Sequence, residues 1–346
     1  MILVCLLGLI AFPAGAAQGI YQPGQCYFGR SNYIEYIAGD MPVIFSVPHG
    51  GALAPAEIPD RKGTGRFPEY ATISDANTEE LALALNQTFR AYFGHSPHVI
   101  ICRLKRTKID CNREIEEAAG GSAFAQQAWH EFHQYINAAN QAVVASTGRG
   151  LYIDLHGQSH PLKRVELGYL LTAQQLTNTD AVLNQSGYAD RSSIRALAAE
   201  VRIPFAELLR GSNSLGGLLL AKGYPSLPDP LMPSPWNATN TKAAVQEALL
   251  YFGGGYNTRL HSSVGQGGPM DGVQLEANLE GVRDTAVNRT NFSLALAQTL
   301  DGFFATHYRI NLKTGASLPP SATKPAELRS DAGVRSAQPP SPQKPL

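Results

Sequence analysis

The sequence predicts an α/β domain, a sheet with helices packed on its faces. Short apolar runs, helical segments lying between them and the absence of any internal repeat carry that prediction. Four of the runs read as buried strands: Val43–Val47, Val99–Cys102, Gly150–Leu155 and Gly272–Glu276. Asn77 opens the first helical segment, with Glu80 three residues on, the spacing of a capping box. Ala123–Ala145 and Phe292–Phe304 carry apolar residues at spacings of three and four. In open sheets of this class ligands bind beyond the carboxyl ends of the strands, so the polar residues there are the ones to examine.

Composition narrows the function classes without choosing one. The 346 residues hold 28 Lys+Arg and 28 Asp+Glu, a formal net charge of zero. A neutral chain lacks the basic surface that a nucleic-acid binder needs to release counterions. With 44% apolar residues the chain is not disordered as a whole. Its 33 Gly and 23 Pro promise many loops, and its length suits one large domain.

The ends differ from the middle. Met1–Ala17 carries no charged side chain, and its apolar run Ile2–Phe12 meets the small residues Pro13–Ala17, as in a cleaved signal peptide. The run is too short to span a bilayer, which takes about 20 helical residues. Residues 1–17 are therefore expected to be a leader, 18–315 the folded domain and 316–346 a disordered Pro-rich tail whose partner is open. A leader implies a secreted, extracellular protein. In that setting Asn86, Asn184, Asn237, Asn288 and Asn291 each fit the glycosylation acceptor pattern. Cys26, Cys102 and Cys111 remain after the leader, and one disulfide, Cys102–Cys111, is expected beside one free thiol.

Polar groups gather at strand ends. The first run ends in Val47-Pro48-His49-Gly50-Gly51, where two glycines leave the imidazole open to other groups. The third ends in Asp154-Leu155-His156-Gly157. Asp154 and His156, two apart on a strand, point to one side, so Asp154 is either a metal ligand or the partner that orients the ring. Arg103–Arg113 alternates charged and apolar residues and reads either as a solvated basic edge or as an anion site built on guanidinium forks. Glu276 closes the last run, where a carboxylate facing a metal can act as general base. His130-Glu131-Phe132-His133 is not a zinc-protease HExxH helix, because Gln134 stands where the second His belongs. His130 and His133 are expected to be surface and helix-face residues, and His95-Ser96-Pro97-His98 a loop with no carboxylate near.

Taken together these residues resemble the N-formylglutamate amidohydrolase family, relatives of the zinc carboxypeptidase and aspartoacylase group. The pieces are Val47-Pro-His49-Gly-Gly, Ser74-Asp75, Ile109-Asp110-Cys-Asn112-Arg113, Ile153-Asp-Leu-His156, Gly254-Gly-Tyr-Asn-Thr-Arg259 and Val273-Gln-Leu-Glu276. They occur in the family's order over roughly residues 40–285. The resemblance implies a three-layer α/β fold with a mixed sheet, like that of the zinc carboxypeptidases. It also implies a Zn2+ held by His49, Asp75 and His156, with Glu276 as catalytic base. Asp75 is the third ligand on this reading; ahead of Asn77–Glu80, it is also placed to cap a helix. Asn112 and Arg113 would hold a substrate carboxylate or developing oxyanion, and Arg259 a second carboxylate. The implied partner is a small acyl-amino-acid or peptide substrate. The leader, the sequons and the lack of His and aromatic residues after Asp75 separate this chain from intracellular formylglutamate hydrolases. They leave open an inactive extracellular matrix or binding protein that keeps the hydrolase scaffold.

Overall fold

The computed structural model describes residues 21–62, 71–185, 187–235 and 251–319. The expected leader, Asn237 and the chain from 320 onward lie outside them. Eight strands form one sheet: β1 (Cys26–Phe28), β2 (Ile34–Ile37), β3 (Val43–Val47), β4 (His98–Cys102), β5 (Gly150–Gln158), β6 (Val165–Gly168), β7 (Ser226–Leu227) and β8 (Met270–Asn278). Their spatial order is β1-β2-β4-β3-β5-β8-β6-β7. The centre, β4-β3-β5-β8, is parallel, whereas β2 joins β4 and β6 joins β8 antiparallel, so the sheet is mixed.

The central strands are apolar on both faces because helices cover both. Phe45, Val47, Val99, Ile153, Leu155 and Val273 belong to one core cluster, with Leu81, Leu85 and Phe89 of α1 (Thr78–Phe93). Phe292, Leu296 and Leu300 of the C-terminal helix Ala286–Phe303 lie in the same cluster. Ile44, Ile100 and Tyr152, one residue out of step, join the other cluster with Ala128, Phe132 and Ile136 of the helix Ala123–Thr147. That alternation is the period of two of a strand, and it makes three layers. Among the described residues no helix is long and apolar enough to cross a membrane.

Several local expectations are corrected. Asn77 does precede α1, but it sits at φ 63° and its side chain caps nothing. The Thr78 hydroxyl donates to the Asp75 carbonyl instead, at 2.8 Å. The expected Cys102–Cys111 disulfide is not formed: both are buried free thiols. Burial first, and then the neighbouring Cys102 thiol, push the Cys111 thiol well up, so it stays protonated. His98 is not in a loop; it opens β4, buried, with Tyr36 Oη 2.8 Å from its Nδ1. His95 has a carboxylate after all, Asp40 at 2.6 Å. Of the acceptor asparagines, Asn86 lies within α1 and Asn288 and Asn291 within the helix Ala286–Phe303, while Asn184 ends the short helix Asp180–Leu183. Of the expected tail, residues 316–319 are described, and Ser317 bridges to Ile310.

Candidate metal centre

Parallel strands place their carboxyl ends together, and the site forms there. His49 lies two residues past β3, His156 near the end of β5 and Glu276 near the end of β8, where the register sets His156 beside Glu276. Asp75 arrives from the segment before α1, and its amide N–H donates to the His49 carbonyl at 3.0 Å. Gly50 allows this closure: a Cβ there would lie 2.6 Å from Thr78 Oγ1 and 2.7 Å from the Glu79 backbone nitrogen.

The two imidazoles are held alike. His49 Nε2 lies 2.6 Å from Asp110 Oδ1, and His156 Nε2 lies 2.8 Å from Asp154 Oδ2. A carboxylate at Nε2 fixes the proton on that nitrogen and turns the other nitrogen into the free base. Both Nδ1 atoms then point at one carboxylate oxygen, Asp75 Oδ2, at 3.5 Å from His49 and 3.2 Å from His156. The ligand atoms of His49, Asp75 and His156 lie within 4.8 Å of one another. His49 Nδ1 is buried and has no hydrogen-bond partner. A buried imidazole nitrogen without a partner, between a carboxylate and a second imidazole, fits a metal ion.

The carboxylates are themselves fixed. Ser46 Oγ and Asn257 Nδ2 donate to Asp154 Oδ1 at 2.6 and 3.2 Å. The Asn112 N–H and Arg106 Nε donate to Asp110, each at 3.0 Å. Burial acts to raise the Asp110 and Asp154 carboxyls, but His49, Arg106 and Arg113 for the first, and His156 and Ser46 for the second, hold both below the usual range. Burial likewise opposes Asp75, and the two imidazoles outweigh it, so Asp75 is ionised. His156 is buried, which lowers its pKa, yet Asp154, Asp75 and Glu276 drive it well above normal. The field that keeps a proton on His156 favours any cation in the same place.

Glu276 differs. Burial raises its carboxyl to about 7, against the opposing charge of His156, and Gln274 Nε2 donates to it at 2.8 Å. These groups line a cavity of about 310 Å³ with Arg106, Asn112, Arg113, Gly157, Gln274 and the wall Tyr251–Gly255. Gln274 Oε1, in that lining, is buried without a partner.

His49, Asp75, His156, Asn112, Arg113 and Glu276 are thus brought together as expected, and Arg259 is not. Asn257 faces inward and is buried, and Arg259 two positions on, about 200° around the helix Tyr256–His261, is exposed and does not line the cavity. The second guanidinium is Arg106, 3.7 Å from Asp75. Sequence reasoning assigned no role to Asp110 or Gln274, and held Arg106 only as part of the Arg103–Arg113 stretch, a solvated basic edge or an anion site. Asp110 belongs to the Ile109–Arg113 motif, but nothing local signals a partner 61 residues away.

No family model matches the chain, and no curated protein matches it by sequence. Solved structures with similar folds include a gene product of Agrobacterium tumefaciens, 11% identical over 79% of this chain and 95% of that one, TM-score 0.43. The N-formylglutamate amidohydrolase of Ralstonia eutropha JMP134 is 11% identical over 85% and 99%, TM-score 0.43. The N-acetylmuramyl-L-alanine amidase of Mycobacterium smegmatis is 14% identical over 76% and 97%, TM-score 0.33.

Proposed function

We propose that this protein is a zinc-dependent hydrolase that cleaves an amide bond of an N-acyl amino acid or peptide next to a carboxylate. One observation carries the reading: two buried imidazoles, each with its Nε2 tied to a carboxylate, turn their Nδ1 atoms onto Asp75 beside a cavity that Glu276 also lines.

His49, Asp75 and His156 would hold the ion, three protein ligands being the open arrangement of catalytic zinc. When bound, the ion supplies Lewis-acid activation of water and of the scissile carbonyl. Asp110 and Asp154 keep each ring in the tautomer that binds through Nδ1 and resist its rotation. Glu276, with its carboxyl near 7, accepts the proton of the attacking water and returns it to the departing amine at neutral pH. Arg113 and Asn112 line the cavity, and a guanidinium fork suits a substrate carboxylate. Tyr251 and Phe252 offer aromatic wall for the rest of the substrate.

The test is a metal assay of the purified full-length chain, followed by a screen of N-acyl amino acids and short peptides with and without a chelator. Stoichiometric zinc with chelator-sensitive release of an amino acid supports the reading. Substoichiometric zinc after gentle purification, or hydrolysis indifferent to the chelator, overturns it.

A further inference from the structure

Arg283 stands five residues beyond β8 and is buried at 2% exposure. Among the described residues no carboxylate lies within ion-pair distance of it. Its guanidinium donates instead to three backbone carbonyls: those of Ala76, of Gln158 at 2.8 Å and of Ala277 at 3.0 Å. Ala76 directly follows Asp75, Ala277 directly follows Glu276, and Gln158 lies two residues past His156.

Gly157 makes the approach possible. A Cβ on it would sit 2.4 Å from Arg283 Cζ and 2.5 Å from its Nε. The Gly157 N–H meanwhile donates to Asp75 Oδ2 at 3.0 Å, so the strand end that receives Arg283 also holds the ligand carboxylate. Burying a cation without a paired carboxylate is costly, and packing alone is served better by an apolar side chain of similar volume. Only a planar fork donates in several fixed directions at once, which Lys does not.

We propose that Arg283 is a positioning residue that ties the chain beside Asp75, His156 and Glu276 into one frame, fixing their spacing before a metal binds. This rests on the metal-centre reading above. The supporting carbonyls come from the segment before α1, from β5 and from β8, each within two residues of Asp75, His156 or Glu276.

The experiment is calorimetric titration of zinc into the metal-stripped full-length chain, with thermal unfolding of the same metal-free samples. Arg283→Lys keeps the charge and loses the fork. It is expected to bind zinc roughly 10–100-fold more weakly, as when other outer supports of a metal site are removed, at a nearly unchanged unfolding midpoint. Free guanidinium at millimolar concentration should restore zinc affinity to Arg283→Ala and leave Arg283→Lys unimproved. Should Arg283→Ala not fold, Arg283→Lys decides alone. An Arg283→Lys chain binding zinc like the wild type, a folded Arg283→Ala that guanidinium does not rescue, or an affinity loss that merely follows lost metal-free stability each overturns the proposal. A wild-type chain that binds no zinc overturns the metal reading as well, whereas equal binding by wild type and Arg283→Lys overturns only this one.

Discussion

The protein buries two pairs of histidines, and they have opposite characters. His49 and His156 stand 4.8 Å apart between their ring centroids, each backed by a carboxylate. His133 and His261 stack at 5.1 Å, with His133 Nδ1 2.8 Å from His261 Nε2 and no carboxylate bonded to either. Burial, helped by the facing imidazole, depresses His133 well below normal, and burial alone takes His261 to about 3. His156, no less buried, goes the other way. Burial makes an imidazole neutral; carboxylates around it make the same burial a cation site. The expectation that His133 is an ordinary helix-face residue is corrected by this pairing, while His130 is exposed as expected.

That contrast can be broken at several points, from the largest effect downward. His49→Ala leaves two ligands, so stoichiometric zinc and hydrolysis should both be lost; metal analysis of the purified variant checks it, and full zinc would remove His49 from the centre. Glu276→Gln should keep zinc and lower kcat roughly 10²–10⁴-fold, the range for a lost general base. Steady-state kinetics on the metal-loaded variant measure it. Asp110→Asn and Asp154→Asn should each weaken zinc roughly 10–100-fold without abolishing it. Competition with a chromogenic chelator reads that loss, and unaltered affinity would mean the carboxylates do not tune the rings.

At the other pair the same chemistry should leave metal untouched. His133→Phe keeps the contact with Trp129 and leaves His261 Nε2 unpaired, an expected cost of about 1–3 kcal/mol in urea unfolding, with zinc affinity unchanged. Folded His261 stays neutral down to about 3, whereas the unfolded chain takes up a proton near 6.5. Between those values the unfolded state binds more protons, so this histidine's stability contribution is full above 6.5 and is lost as pH falls. His261→Met should flatten the metal-free stability profile in that window by up to about 1.4 kcal/mol per pH unit. His156 has the opposite sign in the metal-free chain. Its raised pKa stabilises at low pH, and the contribution is lost as pH rises through the folded value.

Much of this was legible in the chain. Val43–Val47 coincides with β3, and Gly150–Leu155 and Gly272–Glu276 lie inside β5 and β8, because continuous apolar runs are what doubly covered parallel strands require. The outer strands β1, β2, β6 and β7 were not read, being two to four residues long and without a distinctive pattern. His49, His156 and Glu276 stood out because they close apolar runs. Arg259 misled because a motif gives spacing along the chain and not the direction in which a short helix turns each side chain. Cys102 and Cys111 misled similarly: nine positions apart in sequence and in contact when folded, they remain thiols.

The sequence by itself determined the layered α/β class and the residue types at the strand ends, since both follow from local apolar pattern and chain order. Tertiary structure decided which nitrogen of His49 faces inward, because Asp110 and the Asp75 segment reach the site from other parts of the chain. It decided also that Arg106 and not Arg259 enters the cavity, and that Arg283 closes the frame from behind. Each of these depends on a contact between residues far apart in sequence, and no local periodicity records such a contact.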